Sequence, residues 1–376
     1  MKIRYVRQIS DIGETIWNRL VKNESLFLKY EFLSALEAYD CVGEHQGWLP
    51  HHQVVEDDHE VVAVMPLYLK YNSYGELVFD WSWADAYERA GRQYYPKFVS
   101  AIPYTPVTGA RLCVAESVNQ KQVKVLMMES LIDTAREMSL SSIHCLFPQE
   151  VDINLFETQD YYPRVACQFH WQNQNYESFD HFLSFLSSRK RKNIRRERAR
   201  VDEQGIEFQI LSGHQIEEDL WPLIYQLYRK TFVEKGGYAT FTLDFFKQIG
   251  QTMGENLVVT LAIHKGRYVA GAICYQDKTH LYGRHWGCFE DFHSLHFEAC
   301  YYQGLEYAIN QGLQYFDPGA QGEHKLQRGF LPTKTWSAHW IKDEDFSQVI
   351  GQFVSQERNY MRQYIDEMSD QTPYKK

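Results

Sequence analysis

Residues 189–200 hold eight cations, Arg189, Lys190, Arg191, Lys192, Arg195, Arg196, Arg198 and Arg200, against one acid, Glu197. Such density repels itself unless an anion lies close by. The run therefore reads as a phosphate-binding surface for a nucleotide, a coenzyme or RNA. At about 100° per residue its charges surround a helix instead of lining one stripe. The plainer alternative is a solvated helix paired with acids from elsewhere in the chain. A second group closes a strand: Phe316-Asp317-Pro318-Gly319-Ala320-Gln321-Gly322-Glu323-His324-Lys325. Polar loops at strand ends are where ligands bind in α/β folds. Glu323 or His324 can take a proton from an amine near neutral pH. Lys325 and Arg328 can hold an anion, with Asp317 and Gln321 beside them. The alternative here is a surface loop with turn glycines.

Two further groups have the composition of a pocket. Tyr282-Gly283-Arg284-His285-Trp286-Gly287 ends a strand, and Glu298, Tyr302 and Gln303 follow on the next helix. Arg284 and Glu298 form either a structural ion pair or part of a substrate site. Pro103-Tyr104-Thr105-Pro106-Val107-Thr108-Gly109-Ala110-Arg111 is stiffened by two prolines, with Tyr104, Thr105, Thr108 and Arg111 projecting from it. Asp80-Trp81-Ser82-Trp83-Ala84-Asp85 places acids beside indoles, so Asp80 and Trp83 can wall a polar pocket. A rigid structural insert is the competing account of both stretches. The chain has no G-x-x-x-x-G-K-[ST] loop, no G-x-G-x-x-G fingerprint and no G-x-S-x-G elbow. His51-His52 and His293-Ser294-Leu295-His296 lack the further ligands of a zinc site. Cys288 and Cys300 read as core residues more readily than as nucleophiles.

The elements that must position these groups repeat. His52 to Glu56 and Val61 to Tyr71 form a hairpin around Asp57-Asp58-His59, and Val123 to Met138 has helical spacing before a short strand at Ile143 to Phe147. In the second half, strands at Leu257 to His264, Tyr268 to Gln276 and Thr279 to Gly287 precede a helix through Cys300, Leu305 and Ile309. Gly312 ends that helix, and a strand follows at Leu313 to Asp317. Hairpin, helix and strand thus occur twice, which predicts two related α/β domains, 1–175 and 176–376. The first carries an aromatic-rich insert at 72–114. The second begins with a basic helix at 180–204, read as one element, and Ile216 to Lys235 is a further helix. Thr242 is placed to cap a short helix through Gln248.

Composition sets the outer limits. The 376 residues carry a net charge of −10, which disfavours a surface that tracks nucleic acid throughout but allows a local basic patch. No apolar run is long enough to span a bilayer, and Met1 to Val6 does not open a signal peptide. Seven cysteines without a C-x-x-C pair suit a reducing compartment, so the expected location is the cytoplasm.

Several stretches resemble the FemAB-like proteins: Gly47-Trp48-Leu49-Pro50, Tyr74 to Asp80, Tyr94-Tyr95-Pro96-Lys97, and residues 103–111, 282–287 and 317–325. That group is placed with the GNAT-like acyltransferases and carries a peptidoglycan biosynthesis or recognition label. The resemblance runs over nearly the whole chain. It implies two tandem GNAT-like domains of class α/β (α+β), with mixed sheets flanked by helices. It also implies an N-acyl or aminoacyl transferase in which an amine attacks an activated acyl group directly. No tightly bound cofactor is expected; the co-substrate is acyl-CoA or aminoacyl-tRNA. The acyl-CoA relatives carry an Arg/Gln-x-x-Gly-x-Gly/Ala loop, whereas residues 287–294 here have one glycine and two acids. Arg191-Lys192-Asn193-Ile194-Arg195 followed by Gly205-Ile206-Glu207 is similar to the R-x-N-I-R…G-V pattern of the Fem relatives.

On this reading Glu323 or His324 is the base, or His285 if the cleft faces the third strand. Arg189, Lys190, Arg191, Lys192, Arg195 and Arg196 hold the donor's phosphates, tRNA among them, and the 103–111 loop holds a small-molecule or peptide amine. The alternatives are an inactive protein that binds a cell-wall or peptide ligand, and a nucleic-acid binder acting through the basic helix alone. Oligomeric state has no signature in the sequence.

Overall fold

The computed structural model describes residues 1–22, 25–234, 236–320 and 322–375. It divides into two compact units, 1–166 with 334–363 and 167–333 with 364–376. The crossing falls before the 175/176 boundary drawn from the sequence, and residues 334–363 return to the first unit. Pairing between strands almost two hundred residues apart fixes that return, and such pairing has no local sequence signal.

The first unit begins with strands β1 (Lys2–Val6), β2 (Trp48–Pro50), β3 (His52–Asp57), β4 (Glu60–Met65), β5 (Tyr68–Lys70), β6 (Lys97–Ser100), β7 (Cys113–Val114) and β8 (Ser142–Leu146). β1, β3, β4 and β7 form an antiparallel row in that order. The expected single strand over 61–71 is two, because Pro66 has no N–H to continue the ladder. β4 therefore stays with β3, while β5 turns to pair β2 and β6. β6 then runs parallel to β8. The helix Gln120–Glu137, capped by the Asn119 side chain, lays Val123, Met127, Leu131 and Ala135 on one face of this row, against Phe98, Ile143 and Cys145. Within the expected insert, the helix Trp81–Arg89 contributes Trp83 and Tyr87 to a separate aromatic cluster with Tyr94.

β9 (Tyr162–Gln172) carries the chain into the second unit. There β10 (Ile206–Ser212), β11 (Leu257–His264), β12 (Arg267–Gln276) and β13 (His280–Cys288) form an antiparallel meander. β14 (Tyr315–Asp317) lies parallel to β13 and antiparallel to the end of β9. The helix expected over 180–204 is broken into Phe179–Phe185 and Ser188–Glu203. Leu186 is extended and buried between them, where it bridges Tyr374. The next helix starts at Trp221, since Ile216 closes a short turn instead. Thr242 does cap the helix Leu243–Thr252, accepting from the Phe245 N–H. β15 (Leu331–Ile341) and the helix Glu344–Asp370 complete the chain, and Ser337–Ile341 pair with β8 in the first unit.

Candidate active site

In the second unit, β13 and β14 run side by side for three residues and then part. Their last partners are Tyr282 and Asp317. Immediately beyond, β13 bulges: Gly283 faces Cys274 and His285 faces Ile273, so Arg284 is the extra residue. Its Nη2 donates to Asp317 Oδ2 at 2.7 Å, with both side chains almost fully buried. Asp317 Oδ1 accepts from the Gly319 N–H at 2.9 Å and lies 3.7 Å from His170 Nε2. Burial opposes ionisation of Asp317, yet Arg284 and His170 hold its carboxyl well below the usual carboxylate range. Lys325 is buried beside them and donates to Gly319 O at 2.6 Å. Burial pushes its ammonium down to about 8, against the pull of Asp317.

The turn Glu323–Arg328 connects this cluster to a second one. Glu323 and His324 stand at the surface. Glu323 Oε1 accepts from Tyr364 at 2.7 Å, and His324 Nε2 lies 2.9 Å from the Tyr301 hydroxyl. Partial burial, with Arg328 and Lys325 nearby, lowers His324, so its ring is a neutral proton acceptor at pH 7. Arg328 reaches both oxygens of Glu197 at 2.9 Å and the Tyr302 hydroxyl at 3.0 Å, and covers the Phe297 ring at 3.6 Å. Gln321 lies outside the described residues.

Arg284 and Glu298 do not pair, contrary to one sequence reading. A π-turn at Glu298–Tyr302 directs Glu298 to Arg198 Nε at 3.1 Å and to Gln303 Nε2 at 2.8 Å. Glu298 Oε2 is buried without a hydrogen-bond partner. His285 points into an aromatic box, with Tyr228 at 4.7 Å and Phe241 at 5.4 Å between ring centres. Burial and the adjacent Arg284 drive it down to about 3. That environment suits a packing residue better than a proton acceptor.

In the stretch expected to hold the acceptor, Tyr104, Thr105 and Arg111 are bonded to backbone carbonyls of the first unit. Arg111 donates to the carbonyls of Leu146, Ala110 and Val107. Tyr104 donates to Cys41 O, Thr105 to Pro103 O, and Thr108 is exposed. Asp80 and Trp83 are buried, Asp80 accepting from Tyr94 at 2.6 Å and from Lys97. This first-unit network also takes in Glu76, His144 and His339, none of which the sequence reading places in a site. Residue types alone did not reveal it, because strand register is what brings them together.

The basic helix has two faces rather than a uniform ring of charge. Ile194 and Val201 are buried, and Arg198 and Glu197 are spent on Glu298, Glu306 and Arg328. Arg195 pairs with Asp180 at 2.8 Å. Lys190 and Arg191 are half-buried, burial and neighbouring Arg189 lowering Lys190. Arg189, Lys192 and Arg196 are exposed at i, i+3 and i+7, a single outward stripe.

The family model for FemAB-like proteins, described as peptidoglycan biosynthesis/recognition, matches residues 8–376. The chain belongs to the FemAB-like family. Among solved structures, FemX is 13% identical with a TM-score of 0.55, covering 93% of this chain and all of that one. The C-terminal domain of a putative lysylphosphatidylglycerol synthetase from Agrobacterium fabrum gives a TM-score of 0.55 at 8% identity, covering 90% and 94%. L-PGS from Bacillus licheniformis gives 0.51 at 10% identity, covering 86% and 95%. No curated protein matches the sequence. At these identities the likeness is one of fold: this FemAB-like chain has the mixed α/β fold it shares with FemX.

The loop before the helix at Leu295 has three of its N–H groups engaged within the protein. Its N–H groups at Phe289, His293 and Leu295 already donate to Val269 O, Gln204 Oε1 and Phe292 O. Glu290 and Asp291 add negative charge. No helix among the described residues is long and apolar enough to cross a membrane.

Proposed function

We propose that the second unit transfers an aminoacyl or acyl group to an amine, with the parting of β13 and β14 as the reaction site. The observation that carries this reading is the buried Arg284–Asp317–Lys325 cluster where the two strands separate. Beyond Tyr282, β13 has no partner in β14, although its Gly283 and Trp286 carbonyls accept from Arg284 and Thr231. In that setting N–H groups and the Lys325 ammonium would stabilise the developing oxyanion. The amine attacks the acyl carbonyl, a C–N bond forms, and the C–O or C–S bond to the donor breaks. His324 or Glu323 takes the amine proton at the mouth of the site.

The donor is the finer question. The closed, acidic loop at 289–295 speaks against acyl-CoA, and the outward stripe of Arg189, Lys192 and Arg196 favours the phosphates of an aminoacyl-tRNA. The relatives' peptidoglycan label suggests an amine on a cell-wall precursor peptide as acceptor. A protein that binds such a ligand without turnover is the second reading, and the same closed loop favours it.

Thermal-shift titration with charged tRNA, uncharged tRNA, acyl-CoA and free CoA separates these readings, because a ligand of the native state must raise Tm. Charged tRNA is expected to raise it and CoA is not. Alanine at His324 and at Glu323, separately, should cut turnover about a hundredfold in whichever is the base. Full turnover in both variants removes that assignment, and silence toward every donor removes the transferase.

A further inference from the structure

Residues 71–81 are folded inside out. Ser73, Glu76 and Asp80 are at most 5% exposed, whereas Tyr71, Tyr74, Leu77, Phe79 and Trp81 are 38–58% exposed. Folding ordinarily sorts these residue types the other way. The inward polar groups meet two lysines, Lys70 and Lys97, which are themselves fully buried and are register partners on β5 and β6. Lys97 Nζ donates to Ser73 Oγ and Glu76 Oε2, each at 3.0 Å, and to Asp80 Oδ2. Lys70 Nζ donates to Asn72 Oδ1 at 3.2 Å and to Tyr74 O at 3.0 Å. Trp48 Nε1 also reaches Tyr74 O, and Arg164 Nη1 holds Phe79 O at 2.8 Å. Each exposed ring is thus rooted by a buried neighbour, and the Tyr74 and Trp81 rings meet edge to face at 5.0 Å.

Two details separate this surface from an ordinary loop. Leu77 has φ 59°, a left-handed conformation that is costly for leucine and natural for glycine or asparagine. A bulky aliphatic side chain in that conformation, and exposed, gains nothing from packing within the chain to offset the strain. The stretch from Tyr71 to Ala84 also shows solvent no charge, since its only charged residues, Glu76 and Asp80, are both buried.

We propose that this surface docks the protein on the interface of a phospholipid bilayer. Leu77 and Phe79, which offer no hydrogen bonds, enter the acyl-chain boundary. Tyr71, Tyr74 and Trp81 stay at headgroup level, where rings with an apolar body and a polar tip settle. A sugar-binding platform would surround its rings with hydrogen-bonding side chains, but here those side chains are turned inward to the lysines. The patch is uncharged, so it needs no anionic lipid and is indifferent to salt. The cationic stripe of the second unit would behave in the opposite way. Docking of this kind does not require the second unit to be a transferase.

The test is sedimentation of the full chain with pure phosphatidylcholine vesicles at about 0.1 M and about 1 M NaCl, which shortens the screening length from about 10 to about 3 Å. The wild-type protein is expected to bind equally well, within about twofold, at both. Leu77→Asp with Phe79→Asp should weaken binding by at least about tenfold with little change in Tm, both positions being exposed. Leu77→Gly should also weaken binding while holding or raising Tm, because it relieves the left-handed strain. Absence of vesicle binding, loss of binding at high salt, or binding that survives these substitutions overturns the proposal. Self-association, or occupation of the patch by a soluble glycan, without vesicle binding overturns it equally.

Discussion

Lys97 Nζ lies 3.0 Å from Glu76 Oε2, and neither side chain reaches solvent. The same ammonium is bonded to Asp80, so one buried cation serves two carboxyls that are not equivalent. Burial pushes Glu76 up to about 7. Burial works on Asp80 too, but Lys97 and His144 hold it well below the carboxylate range. Glu76→Gln should therefore cost little at pH 6, whereas Asp80→Asn should cost about 3–5 kcal/mol by leaving Lys97 undercompensated. Between the unfolded carboxyl range and pH 7 the folded chain keeps a proton that the unfolded chain releases. Stability thus falls as pH rises there, by up to about 1.4 kcal/mol per unit, and Glu76→Gln should remove that slope. Urea titrations of both variants across this window check the asymmetry.

Lys325 gives a slope of the opposite sign. Its folded pKa of about 8 lies below the free lysine value of 10.5, so between these values the unfolded chain holds the extra proton. Stability attributable to this residue should rise with pH across that window, by up to about 1.4 kcal/mol per unit. Lys325→Met should abolish that part of the rise. If the ammonium acts on the acyl oxygen, wild-type turnover should also decline above pH 8.

The two faces of the basic helix should separate on substitution. Alanine at Arg189, Lys192 and Arg196 together should leave Tm within a few degrees and flatten the salt dependence of tRNA binding, by about 0.7–0.9 of log–log slope for each phosphate that is no longer neutralised. Arg198→Ala should instead cost about 2 kcal/mol, because Glu298 is left buried without its cation. A salt titration of binding, read beside melting curves, distinguishes the two classes.

Gly287 marks the close approach of β13 to the helix Trp221–Glu234. A side chain there would run into the Leu227 backbone carbonyl, which cannot swing aside as a flexible side chain would. Gly287→Ala should therefore destabilise by about 1–3 kcal/mol or more, although alanine suits a strand better than glycine in isolation. Chemical denaturation measures it directly.

Much of the architecture was legible in the sequence. The meander Leu257 to Cys288 follows from alternation and turn residues, and Thr242 caps the helix that follows it. Pro66 itself explains why the expected strand over 61–71 is two. The candidate site was legible in part. Asp317, Lys325 and Arg284 were singled out and do meet, but the Arg284–Glu298 pairing failed on a π-turn that helical spacing does not anticipate. His170 was missed because only the pairing of β9 with β14 brings it to Asp317. The network around Lys97 was missed for a related reason. Its members lie on β6, β8, β15 and the 72–96 segment, and local patterning does not encode how distant strands align.

Residues 334–363 have a consequence for synthesis. The first unit's core includes Ala338 and Trp340, and β8 has Ser337 to Ile341 as its partner. A nascent chain that has passed residue 166 therefore has an unfinished core, and it must wait for residue 341 to emerge, roughly ten to thirty-five seconds later at typical translation rates. During that interval β8 lacks the partner strand that pairs with it from Ser337 to Ile341, while residues 167–333 are made and begin to fold. The part begun first is completed late. Chaperone demand during translation, rather than the stability of the finished molecule, is where a slow or aggregation-prone step should be sought.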